Sequence, residues 1–146
     1  MKWILVSVLT TLLFSSCSAP GVKGLEVRDA WGRPALQGGN GAVYFVIQSS
    51  AADELVGVTS DVAESVEMHE SRMNGEVMEM RQLQSVPLGA GEQVMFEPGG
   101  FHIMLIGLRQ DLQIGDEFAI SLRFKNHEGL QVNVTVTDSP GAETEH

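Results

Sequence analysis

The sequence predicts an all-β domain built as an antiparallel sandwich or barrel. Three observations carry that expectation. Short runs rich in β-branched and aromatic residues recur along the chain, and turn-forming residues, 16 glycines among them, separate the runs. No window holds apolar residues at a helical period.

Nine strands are expected, taken in chain order. Leu25 to Trp31 alternates apolar and polar residues, and Gly41 to Gln48 is a continuous β-branched and aromatic run. Glu54 to Ser60, Ser65 to Ser71 and Glu76 to Leu83 follow. The last four are Gln93 to Glu97, Phe101 to Leu108, Glu117 to Phe124 and Leu130 to Thr137. Between them lie Gly38-Gly39, Asn74-Gly75, Gly89-Ala90-Gly91, Pro98-Gly99-Gly100, Gly115-Asp116 and His127-Glu128-Gly129, all turn chemistry.

The length of 146 residues suits one domain, and 43% hydrophobic residues suffice for a core. A formal net charge of −10 argues against nucleic acid as a partner. The N-terminus reads as an export leader: Lys2, an apolar run from Trp3 to Phe14, then small residues. Cys17 is the sole cysteine, and Leu12 to Cys17 resembles a bacterial lipobox. Residues 1–16 are therefore expected to be a signal peptide, with Cys17 lipidated as the mature N-terminus. Residues 17–24 would be a tether, 25–138 the domain and 139–146 a polar tail. Such a chain would sit on the periplasmic or cell-surface side, held to the membrane by lipid alone.

One stretch is chemically unusual. Glu67 to Met80 holds one histidine and four of the seven methionines. It surrounds Asn74-Gly75, a strong hairpin signal. With that pair at the centre of the turn, Met73 would face Glu76, Ser71 would face Met78, and His69 would face Met80. Directly opposed residues share a face, with Cβ atoms about 4.5–5.5 Å apart. His102 and Met104, two apart on a later strand, also share a face. If the two pairs meet, they form a cluster of two histidines and two methionines. Soft, neutral thioethers favour Cu(I), with Ag(I) as a mimic. Zinc prefers thiolate, imidazole and carboxylate, and magnesium and calcium want oxygen. A blue-copper centre needs a cysteine thiolate that the mature domain lacks.

Other readings compete with this one. Met68 and Met95 suit core filling, whereas Met73 and Met78 share the parity of Met80. His102 and Met104 could equally alternate into a core. An enzyme using Glu70 beside His69 is disfavoured, because neighbouring strand residues point to opposite faces. A metal-free surface sandwich, and a copper storage or detoxification protein, remain alternatives.

The spacing from His69 to Met80, His102 and Met104 is H-x10-M-x21-H-x-M. With "VRDAWGRPA", "GAVYFVIQ", "VEMHES", "GEVMEMRQL", "LGAGEQVMFEPGGFHIMLIGL" and "GDEFAISLRF", it resembles the periplasmic copper(I) chaperones of the PCuAC type. The resemblance runs from Val27 to Val136. It implies a cupredoxin-like Greek-key β-sandwich and a Cu(I) site made by His69, Met80, His102 and Met104. It further implies delivery of copper to exported or membrane acceptors, such as the copper centres of cytochrome oxidase, without catalysis. Two departures stand out. The tail offers only His146 where some members carry a histidine- and methionine-rich tail, and Cys17 implies an anchored form.

Overall fold

The computed structural model describes residues 24–138. The leader at 1–16, the lipidation at Cys17, the tether up to Lys23 and the tail at 139–146 lie outside the described residues. Ten strands form: β1 (Leu25–Gly32), β2 (Gly41–Ser49), β3 (Asp53–Thr59), β4 (Ala63–Asn74) and β5 (Val77–Leu83), then β6 (Val86–Leu88), β7 (Gln93–Phe96), β8 (Phe101–Leu108), β9 (Glu117–Phe124) and β10 (Leu130–Val136). They hydrogen-bond in the order β5-β4-β8-β7-β2-β1-β10-β9-β3-β6. That sheet folds over on itself as a β-sandwich, so strands from both ends of the order share one core.

Alternation explains the packing. In β9, Phe118, Ile120, Leu122 and Phe124 are buried, while Glu117, Ser121 and Arg123 are exposed. Val43, Phe45 and Ile47 of β2 and Ile103 and Leu105 of β8 meet Val132, Val134 and Val136 of β10 in the same apolar cluster. Phe45 stacks on Phe96 with ring centroids 4.4 Å apart. Met68 joins this core, as expected from its parity, but Met95 is exposed and fills no core. Each fully buried aliphatic or aromatic side chain contributes about 1.5–3 kcal/mol.

The two halves of the sandwich meet through β1. Its pairing with β2 shifts register between Arg28 and Trp31. Asp29 lies within that irregularity at φ 55°, the only non-glycine residue at positive φ among those described. Past the bulge, Trp31 and Gly32 pair in parallel with Thr135 and Val136 of β10. A Cβ on Gly32 would sit 3.3 Å from the Ala42 carbonyl and 3.5 Å from Val134 Cγ1, so the seam closes around a residue without a side chain.

The strand missing from the sequence expectation is β6. Three residues around Pro87 give no readable alternation, and proline is tolerated only at an edge. Here β6 is that edge: Val86 and Leu88 are buried, Pro87 points out, and β3 is the sole partner strand among the described residues.

β8 carries His102 and Met104, so its inward residues fix where they sit. Ile103 is wholly buried between them. Ile103→Ala is expected to cost about 2–5 kcal/mol. A denaturant titration reads this directly, and an unchanged midpoint would contradict the packing described here.

Candidate metal centre

β4 is paired on both sides, and its two registers build the site. Against β8, His69 lies directly opposite His102, and Glu67 opposite Met104. The rings stand with centroids 5.7 Å apart, tilted by 49°. Ile103, Leu105 and Met68 point into the core, so His69, His102 and Met104 occupy the other face of the sheet. His102 is nonetheless only 6% exposed, and the His69 side chain 12%. Met104 is half-buried.

Against β5 the register differs from the sequence expectation. Met80 lies opposite Ser71, not His69, and Gln82 is the residue facing His69. Met73 faces Met78 rather than Glu76, so Met78 does not face Ser71. The turn explains the displacement. Gly75 alone takes the positive φ, at 65°, and is followed by Glu76 in a two-residue loop closed by Asn74 and Val77. Positive φ at the first loop position only is the type II′ pattern, whereas Asn-Gly at the centre demands the type I′ pattern. Pairing therefore moves by two residues, which preserves the face. Met80 still shares the side of His69 but stands one diagonal away, at about 7–8 Å between strands.

Both imidazoles have one nitrogen committed. His69 Nε2 lies 2.7 Å from Glu67 Oε2. A carboxylate only accepts, so Nε2–H donates, and in the neutral ring Nδ1 carries the lone pair. That Nδ1 is buried and has no hydrogen-bond partner among the described residues. His102 Nδ1 donates to the Gly100 carbonyl at 3.2 Å, which leaves Nε2 as its bare nitrogen. Orienting partners of this kind are what metal-binding histidines usually have. Burial pushes His102 below its ordinary pKa of 6.5, and the neighbouring His69 adds to that, against the opposing pull of the Gly100 bond. His102 is thereby kept neutral, the state in which imidazole is a ligand.

Glu67 was not among the residues the sequence singled out. Its spacing of two from His69 puts both side chains on one face of β4, a signal the sequence carries. Glu70 turns to the other face, 2.9 Å from both Arg72 and Arg81. Burial would raise its pKa, but the two guanidiniums outweigh that and hold the carboxyl below its usual range. Among the described residues, no group of three or more His, Cys, Asp and Glu side chains is gathered as a metal site. Apart from the Glu67 carboxylate, which is taken up by His69 Nε2, the donors on the His69 face are nitrogen and thioether sulfur. Such a set suits a soft monovalent ion over zinc, calcium or magnesium.

The comparisons with known proteins agree with this architecture. Residues 25–136 match the family model described as "Putative lipoprotein LpqE-like". The chain is 33% identical over 132 residues to "Putative lipoprotein Lxx21020" of Leifsonia xyli subsp. xyli, covering 88% of this chain and 80% of that protein. Among solved structures it resembles the copper-bound PCuAC domain from PmoF2, with TM-score 0.67 and 23% identity over 80% of this chain and 94% of that one. It also resembles the solution structure of CuI-DR1885 from Deinococcus radiodurans, with TM-score 0.53 and 23% identity over 84% and 82% of the two chains. The chain belongs to the LpqE-like family, and its fold is that of the PCuAC domains.

Proposed function

We propose that this protein is an extracytoplasmic Cu(I) chaperone, with His69, Met80, His102 and Met104 as the ligands. The observation that carries the reading is the facing histidine pair, whose bare nitrogens are preset by Glu67 and Gly100 on a sheet face that also holds both thioethers. Two similar structures, the PCuAC domain from PmoF2 and CuI-DR1885, were solved with copper and Cu(I) respectively, which supports the choice of ion. The family's lipoprotein description supports an exported chain anchored through Cys17.

The role is binding and handover rather than catalysis. The four donors are neutral, so the ion would keep its single positive charge. They also differ in access: Met80 is 53% exposed, whereas His102 is buried. An acceptor protein would displace the Met80 sulfur first and the His102 nitrogen last. Acceptors are copper-requiring exported or membrane proteins, with the copper centres of cytochrome oxidase as the proposed example.

An anaerobic Cu(I) titration against a chromophoric chelator tests the site. Wild type is expected to hold one Cu(I) per chain with high affinity, and the Met80→Ala, Met104→Ala double variant to lose that affinity. Competition that is indifferent to both substitutions would overturn the assignment. Glu67→Ala should keep the stoichiometry and weaken affinity about 10–100-fold, because His69 loses its orienting acceptor.

Acid sensitivity of the metal-free protein follows from His102. Its folded-state pKa lies below 6.5, so the unfolded chain takes up the proton first as pH falls. The stability tied to this group is complete above pH 6.5 and is lost as pH drops from there towards the depressed value. Denaturant midpoints should fall over that range in wild type and fall less in His102→Gln. Equal slopes in the two proteins would refute the linkage.

A further inference from the structure

The hairpin beyond His69 is two-faced. Residues 72–82 are all exposed, so no core dictates what they are. One face carries charge: Glu70 binds Arg72 and Arg81, and Glu79 accepts from Asn74. The other carries sulfur. Met73 lies directly opposite Met78, Met80 comes two residues further along β5, and His69 follows on β4. Met73 is 61% exposed and Met78 59%. The remaining residues on this face between the tip and His69 are Ser71 and Gln82, both neutral.

Packing does not explain thioethers held in water, and Met73, Met78 and Met80 all lie on the face that carries His69. Chemistry explains both. An opposed pair brings two sulfurs within reach of one ion, with Cβ atoms about 4.5–5.5 Å apart. Successive same-face positions are about 7 Å apart along a strand. No carboxylate stands among them to attract a hard cation.

We propose that Met73 and Met78 form an outer soft-ion station beside Met80 of the inner site, through which Cu(I) enters or leaves. Transfer is ligand exchange alone: a Met73 or Met78 sulfur lets go as Met80 and then His69 bind, and copper stays Cu(I) throughout. Two thioethers without imidazole hold the ion less tightly than the inner set, so net movement into an empty inner site is downhill. The station rests on the reading of His69, Met80, His102 and Met104 as the inner ligands, yet it can fail separately.

The test is an Ag(I) titration of the full chain labelled with 13C at the methionine methyls. The first equivalent is expected to move the Met80 and Met104 signals, and a second, weaker equivalent those of Met73 and Met78. A Met73→Leu, Met78→Leu variant keeps the apolar surface. It should lose the second phase and load its inner site more slowly from chelator-bound Ag(I). Still Met73 and Met78 signals while Met80 and Met104 respond would overturn the station and leave the inner site standing. A second equivalent undiminished in the double variant would also overturn it. Movement of Met73 and Met78 without Met80 and Met104 would uphold an ion site at the tip and sink the inner assignment.

Discussion

The pairing of β4 with β8 is the constraint on which the site depends. Seven residue pairs hold it, and the core residues Met68, Ile103 and Leu105 pin it from behind. A slip of β4 by one residue would move Met68 out of the core and turn His69 away from His102, so burial and site geometry enforce the same register. The histidines are placed by apolar contacts on the opposite side of the sheet, at no conformational cost to themselves. The short reach of an imidazole makes this necessary: nitrogens that are to share an ion must be set by the backbone, whereas a methionine has three rotatable bonds with which to adapt.

Around that fixed pair, charge is kept on the other side of the β4–β5 hairpin. The largely buried Glu70 carboxylate sits between two exposed guanidiniums, which favour its charged form. Their larger effect is on pairing. Glu70 stands opposite Arg81, and Arg72 opposite Glu79, so opposite charges meet across the strands in this alignment. Among the described residues of β4 and β5, the face left over carries one carboxylate, Glu67, which is bound to His69. Polarity and softness are thus divided between the two surfaces of one hairpin.

Much of this was legible in the sequence. Strand positions follow from alternation and glycine turns, and the shared face of His69, Met73, Met78 and Met80 follows from parity alone. The direct partner of Met80 was not legible, because Asn-Gly admits two turn placements and only the backbone shows which φ is positive. β6 escaped because three residues around a proline carry no period. The burial of His102 was hidden as well. Its strand neighbours Ile103 and Leu105 announce a core face, but nothing in the sequence says that the opposite face is covered too. Glu67 was readable by the i, i+2 rule that found His102 and Met104.

The seam at Trp31 and Gly32 has a consequence in time. It joins the first strand to the last, across nearly the whole domain. Until β10 has been made, one edge of β1 has no partner, and the two halves of the core have no backbone link. Pairings this distant in sequence are slow to form, since most of the chain must be ordered before they pay any return. A chain growing from its N-terminus therefore joins its two half-sheets as a closing act, and a copy cut short before β10 is left with the halves unpaired.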